Sequence, residues 1–408
     1  MKRSILIGLS SESMITQPDR INDLRPNYQK NRIFRVVTLN YPSFVPRAHQ
    51  APYDCSMKRN FGRQRAADRR GLTLLAFLAT IGTLVLGCAE SPKEIRLIGA
   101  TMGTQYAITV ADSNNGVTKA ELRGDIEALL EKINRIMSPY DSASEISVIN
   151  RQRSTNWLAI SNELLVVLSA AKAVHQISNG AFDVTLAPLV DLWGFGATKE
   201  KGLVPDPNAV RDARRSVGSG RFELRDSPPG LKKMDRDVAF DLSGIAKGYA
   251  VDEIAETLKT RGLTSFLVDI GGEMRASGTN KSGKAWRIGI ETPTVGERGI
   301  AQTIALRDTG LASSGNYRNN FVVDGVQYGH TIDPTTGQPT QHLLLAASVI
   351  HPSTMIADAW ATALMSMGPD AALEVSTNVG VSAMLLRKNA ASWQIITTAP
   401  FDEAVKQR

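Results

Sequence analysis

Three short constellations in the chain hold residue types that can do chemistry. In Asp358-Ala359-Trp360-Ala361-Thr362 a carboxylate and a hydroxyl stand four residues apart, a spacing that stacks both oxygens on one face of a helix. Hard oxygen ligands of this kind suit Mg²⁺, which keeps several waters and borrows phosphate oxygens from a substrate. The same spacing also fits a Thr hydroxyl bonded back to its own helix beside an exposed Asp. In Asp241-Leu242-Ser243-Gly244-Ile245-Ala246-Lys247 small residues and a lysine open a helix. Backbone N–H groups at such a start attract an anion, with Lys247 within one turn of them; a plain cap by Ser243, with Lys247 in solvent, accounts for the same residues. The third, Gly329-His330-Thr331-Ile332-Asp333-Pro334-Thr335-Thr336-Gly337, joins a histidine able to move protons near neutral pH to an Asp-Pro turn. A purely structural turn is an equal reading of it.

These residues need elements to position them. Apolar residues at Leu122, Ile126, Leu129, Leu130, Ile133 and Ile136 recur every three or four positions and predict a helix. Ser161 caps a second helix that stops at Gly180, a third fits Ile245 to Arg261, and Ser353 opens a fourth that runs to about Met367 before Gly368. Strands are expected on both sides of the Met102-Gly103-Thr104 turn and at Ser265–Ile270, Trp286–Glu291, Gln302–Leu306, Phe321–Val323, Leu343–Ile350, Ser382–Leu386 and Trp393–Thr397. The stretch from Gly196 to about Gly230 reads as polar and proline-bearing, without a period. Helices and sequential strand pairs interleave with no regular βαβ rhythm, so the expected class is α+β, with mixed or antiparallel sheets and packed helices.

Composition narrows the function classes. The 408 residues are 42% apolar and 21% charged, a globular balance, with a formal net charge of +7. Of the 47 basic and 40 acidic residues, 14 and 5 fall in residues 1–88, which leaves 33 and 35 beyond them and a net of −2. The basic excess belongs to the leader, and no nucleic-acid partner is expected. Met57-Lys58-Arg59 opens a basic stretch, an uncharged run from Gly71 to Gly87 follows, and Val85-Leu86-Gly87-Cys88 closes it. This is a secretory signal ending in a bacterial lipobox, with Cys88 as the lipidated first residue; a short transmembrane anchor is the other reading. Residues 1–56 show no period and read as an extension, either disordered or upstream of a start at Met57. Cys55 and Cys88 are the only cysteines, so residues 89–408 hold no disulfide, zinc–cysteine site or cysteine nucleophile.

Other motifs fail on context. Gly278-Thr279-Asn280-Lys281-Ser282-Gly283-Lys284-Ala285 nearly spells a phosphate loop, but Ala285 replaces the metal-binding hydroxyl and a strand follows, so a polar hairpin turn is expected. No GxGxxG precedes a helix, no GxSxG occurs, and His175, His330, His342 and His351 lack HExxH spacing.

Taken in order, Met102-Gly103-Thr104, Met137-Ser138-Pro139-Tyr140, Ser144-Glu145-Ile146-Ser147, Gly180-Ala181-Phe182-Asp183-Val184-Thr185, Trp193-Gly194-Phe195-Gly196, Asp241 to Gly248, Gly329 to Gly337 and Ala357 to Leu364 resemble the ApbE family of FAD:protein FMN transferases over about residues 95–400. The resemblance implies an ApbE-like, T-fold-related architecture. It implies FAD contacts at Met102, Tyr140, Ala181, Phe182, Asp183, Asp241, Lys247 and Ile332, and Mg²⁺ ligands in the side chains of Asp358 and Thr362 and the carbonyl of Gly244. Ala361 stands where some members supply a further oxygen, which its methyl does not. The implied reaction is attack by a Thr or Ser hydroxyl of an acceptor protein on the FMN-side phosphorus of FAD, with AMP leaving. Its general base would be His330. Alternatives that keep the site are an Mg²⁺-dependent FAD pyrophosphatase and a periplasmic FAD-binding protein without catalysis. Acceptors of the family are typically flavin-carrying subunits of membrane redox complexes, which suits a lipoprotein facing the periplasm. The chain then divides into an extension (1–56), a signal peptide (57–87), a lipidated Cys88 with its linker (88–94), a transferase domain (95–400) and a tail (401–408).

Overall fold

The structure, a computed structural model, describes residues 94–111, 116–197, 202–293, 299–317, 319–390 and 392–406. The extension, the signal peptide and Cys88 lie outside the described residues.

Helices α1 (Lys119–Met137), α2 (Glu145–Arg151), α3 (Asn162–Ile177), α4 (Ala187–Leu192), α5 (Pro207–Arg214), α6 (Ala246–Thr260), α7 (Thr354–Met367), α8 (Pro369–Val379) and α9 (Ala399–Lys406) alternate with the strands. Capping explains several boundaries. Thr118 and Glu121 form a reciprocal capping box at the start of α1, whose buried Leu122, Ile126, Leu130 and Ile133 keep the helical period. Ser161 accepts from the Leu164 N–H at 3.2 Å to open α3, and Ser353 opens α7, which ends at Gly368 with φ +83° before Pro369 restarts the chain as α8.

Eight strands form one sheet: β1 (Ile95–Thr101), β2 (Thr104–Val110), β6 (Phe266–Ile270), β7 (Glu273–Ser277), β10 (Thr309–Gly315), β13 (Leu344–His351), β14 (Ser382–Lys388) and β15 (Trp393–Thr397), in the order β1-β2-β6-β7-β10-β13-β14-β15. Every neighbouring pair is antiparallel. Both faces are covered, and strand alternation decides which residue goes where. Ala347, Val349, Ala383 and Leu385 join Ile254, Leu258 and Leu364 in the core under α1, α3, α6 and α7. Their neighbours Ala346, Ile350, Met384 and Leu386 face the other way, onto a second core completed by the hairpin β8 (Trp286–Glu291) and β9 (Ile300–Leu306) and by α9. Smaller sheets are β3 (Trp157–Ala159), β5 (Gly230–Lys233) and β4 (Phe222–Arg225) in that spatial order, and the pair β11 (Asn320–Val323) and β12 (Val326–Gly329).

The expected α+β class and antiparallel pairing hold. Three local expectations change. The polar stretch before Gly230 contains α5, opened by Asp206 and Pro207, too short to show a period. Residues 401–406 are not a tail: they belong to α9, and Phe401 is buried in the second core. Gly278–Lys284 is a turn, with the Asn280 N–H donating to the Lys284 carbonyl at 2.8 Å, but it is no hairpin, because it passes the chain from β7 in the large sheet to β8 in another.

Candidate active site

The site is built where α6 crosses α7. A Cβ on Gly248 would fall 2.4 Å from the Thr354 carbonyl oxygen and 2.7 Å from Met355 Cα, so only glycine lets the two helices approach this closely. Asp252, one turn further along α6, accepts from the Thr354 N–H at 2.9 Å, the Met355 N–H at 3.1 Å and the Ser353 hydroxyl at 2.7 Å. It thereby satisfies the first donors of α7 from the neighbouring helix. In return, Asp358 on α7 accepts from the Gly248 N–H at 3.0 Å through Oδ2. The sequence suggested a Ser243 cap for α6. Instead the N-cap position is Ile245, with no side-chain cap, and Ser243 is drawn back by its N–H to Asp241 Oδ1 at 2.8 Å.

This crossing assembles three charges. Lys247 Nζ lies 2.8 Å from Glu273 Oε1 and 3.7 Å from Asp358 Oδ1, and both carboxylates are buried. Lys247 is therefore not a solvated lysine. Burial alone would pull its ammonium down, but Asp358 and Glu273 more than offset this and hold it above the ordinary lysine value. Burial pushes the Glu273 carboxyl up to about 8, against the pull of Lys247, and raises Asp358 in the same way. The triad sets two buried carboxyl groups against one ammonium, and Glu273 Oε2 is buried without a hydrogen-bond partner. One turn beyond Asp358, Thr362 meets the Gly244 main chain: a Cβ at 244 would fall 2.8 Å from Thr362 Oγ1. Asp358, Thr362 and Gly244 thus form one hard-oxygen corner. Among the described residues no group of three His, Cys, Asp or Glu side chains could hold a metal alone, so a cation here depends on hydroxyl, carbonyl and substrate oxygens as well.

The corner opens into a cleft of about 890 Å³. Seven carboxylates line it (Asp183, Asp191, Asp241, Asp269, Glu273, Glu291, Asp358) against Lys247 and Arg151. An anionic substrate in such a cleft needs cationic help. Tyr140 lies at the wall with 64% of its surface exposed, an aromatic face open to a planar ring. His330, also at the wall, is approached edge-on by Phe195 at 6.4 Å. Phe195 stacks on Phe321, Phe321 on Tyr328, and Tyr328 on Trp193, at 5.3–5.5 Å. This ladder docks β11 and β12 on α4. The Trp193 indole N–H donates to the Gly337 carbonyl at 2.9 Å, tying the Asp-Pro turn to the same cluster.

Eleven of the expected site residues line the one cleft: Tyr140, Ala181, Phe182, Asp183, Asp241, Gly244, Lys247, His330, Ile332, Asp358 and Thr362. Met102 does not. It occupies the β1–β2 turn at φ +48° and rests against the main core. Asp183 also organises its own loop, accepting from the Thr185 N–H at 2.7 Å and hydroxyl at 2.5 Å, and burial raises its carboxyl. Asp333 is a turn-former: its side chain accepts from the Thr335 N–H at 2.8 Å and the Thr336 hydroxyl at 3.0 Å. Glu273 was missed. Its signal was Gly271-Gly272 before a lone acidic residue in a strand, a break that places a carboxylate at the start of β7.

A two-faced antiparallel sheet with this cleft places the chain among the flavin transferases of known structure. It matches the flavin transferase ApbE from Vibrio cholerae with a TM-score of 0.71 at 35% identity, over 76% of this chain and 99% of that one, and the apo flavinyl transferase ApbE from Pseudomonas stutzeri with a TM-score of 0.72 at 34%, over 78% and 99%. A curated relative, the FAD:protein FMN transferase of Haemophilus influenzae, is 39% identical over 73% of this chain and 88% of its own length. The sequence pattern of the ApbE family matches residues 102–385, and the chain belongs to the ApbE family.

Proposed function

We propose that the chain is an Mg²⁺-dependent FAD:protein FMN transferase that moves the FMN moiety of FAD onto a Thr or Ser hydroxyl of an acceptor protein and releases AMP. The observation that supports the Mg²⁺ requirement is the buried Asp358 carboxyl beside Thr362 and the Gly244 main chain, a corner of hard oxygens next to Lys247 and Glu273. Asp358 Oδ1, Thr362 Oγ1 and the Gly244 carbonyl fit a hard divalent cation by donor chemistry, and the missing Cβ at 244 leaves them room. When bound, the metal withdraws charge from the pyrophosphate oxygens.

The chain's own residues do the rest. Lys247 presents an ammonium that stays protonated and offsets charge on the phosphates as the transition state forms. Tyr140 stacks on a ring of the dinucleotide, while Ala181, Phe182, Asp183, Asp241 and Ile332 shape its seat. His330 takes the proton of the incoming hydroxyl as that oxygen bonds to the FMN-side phosphorus, and the phosphoanhydride bond to AMP breaks. A water in place of the hydroxyl gives FMN and AMP instead, and a non-catalytic store leaves FAD whole.

Incubation with FAD, Mg²⁺ and a flavin-carrying acceptor subunit separates these readings. Acceptor gaining the mass of FMN, in step with AMP, is expected; free FMN, or intact FAD, would refute the transferase reading. His330→Ala should lower the rate by about 100-fold or more. For location we read a lipoprotein anchored at Cys88 and facing the periplasm, supported by the basic run and the uncharged Gly71–Gly87 stretch before it. Acyl labelling that persists in Cys88→Ser would sink this.

A further inference from the structure

We propose that Glu273 is a positioning residue that holds the Lys247 ammonium off Asp358, keeping one Asp358 oxygen open to a cation. The inference deepens the functional reading above and rests on it for the identity of that cation. Asp358 has two oxygens and three claimants. Oδ2 already accepts from the Gly248 N–H, which the helix crossing fixes. Oδ1 is the oxygen that faces Lys247, at 3.7 Å. That separation is too long for a hydrogen bond. Were the ammonium to close it, the ammonium would take the position the cation needs.

What holds Lys247 back is the nearer carboxylate, at 2.8 Å. The lysine stem is flexible and its ammonium goes where the charge is, whereas Glu273 is anchored by main chain. It opens β7 in register with Ile270, directly after Gly271 and Gly272, which take φ +65° and +109°. The Gly272 N–H donates to Asp269 Oδ1 at 2.9 Å. A turn of two left-handed glycines cannot drift as a side chain can. The second Glu273 oxygen, buried and unpartnered, costs stability that a merely structural ion pair would avoid by completing its hydrogen bonds. Its retention is accounted for if Glu273 serves by holding Lys247 through Oε1.

The test is a double-mutant cycle on the full chain, with Glu273→Gln, Lys247→Met and both together. Mg²⁺ is titrated by calorimetry into FAD-loaded protein without acceptor, and thermal melts verify the fold. Glu273→Gln alone should weaken Mg²⁺ by about ten-fold, since the ammonium then falls onto Asp358. With Lys247 already Met, the same change should matter by less than about two-fold. An equal loss in both backgrounds would mean that Glu273 acts on the cation directly, and overturns the proposal; so does unchanged Mg²⁺ affinity in Glu273→Gln. If Glu273→Gln does not fold, Glu273→Asp, which draws the charge back by one methylene, runs the same cycle. Failure of the wild type to flavinylate acceptor, with the coupling intact, would fail the functional reading and leave the positioning claim standing.

Discussion

Two lysines are held inside this protein on opposite terms. Lys247 lies between two carboxylates at the mouth of α6. Lys233, on β5, is fully buried and meets main-chain carbonyls, donating to the Gln152 carbonyl at 2.7 Å and reaching the Asn150 carbonyl at 3.5 Å. Burial, with the nearby Arg153 charge behind it, pulls Lys233 down to about 8, whereas Lys247 is held up. Lys233 ties down the end of α2 through carbonyl dipoles, with Asp237 only partly offsetting its burial, which suits a structural fastening. Two carboxyl groups flanking one ammonium beside a hard-oxygen corner suit a site meant to receive a cation. Burial of charge does not mark function; the sign of what is left over does.

The comparison can be broken at either lysine. The largest effect is expected at Lys247→Met, which should lower flavin transfer by about 100-fold in kcat, as for loss of one transition-state donor, and lower Tm as well, because two buried carboxyl groups lose their counter-charge; transfer is followed by the mass of the acceptor. A large fall in Tm with kcat intact would make Lys247 the structural one.

At Lys233 the effect is on stability and depends on pH. A folded value near 8 against an ordinary 10.5 means the unfolded chain binds more protons between those limits, so stability rises with pH across that window and the burden is fully present below it. The span is worth up to about 3 kcal/mol, and Lys233→Met should flatten it in chemical denaturation at pH 7 and pH 10. Lys247, held above its ordinary value, keeps its contribution up to that value and loses it only at higher pH. A wild-type curve as flat as that of Lys233→Met would show that the folded lysine titrates at its ordinary value.

The smallest pair sharpens the picture around Lys247. Gly248→Ala meets main chain and should cost about 1–3 kcal/mol, read as a fall in Tm together with weakened Mg²⁺ binding. Gly244→Ala meets the rotatable Thr362 side chain and should spare Tm while raising the Mg²⁺ needed for transfer several-fold. Equal Tm losses in both would erase the distinction.

Much of this was legible in the sequence. The periods and caps of α1, α3 and α7 are local, and Asp358 and Thr362 share a helix, so spacing alone puts them together. Long β10 escaped notice because Thr-Gly-Leu-Ala-Ser-Ser-Gly is made of small residues that pack tightly without any apolar alternation. Glu273 and Lys233 were hidden for a different reason. Each takes its meaning from partners on other elements, and no window along the chain contains both sides of a contact made by folding.

The missing methyl group at position 248 leaves the chain an indexed joint with no adjustable part. Where most helix pairs settle against each other through rotamers that can yield, α6 and α7 meet backbone to backbone, and the spacing between an ammonium and a carboxylate is inherited from that seating. The freedom of this sequence to change is therefore close to nil at one residue that carries no side chain.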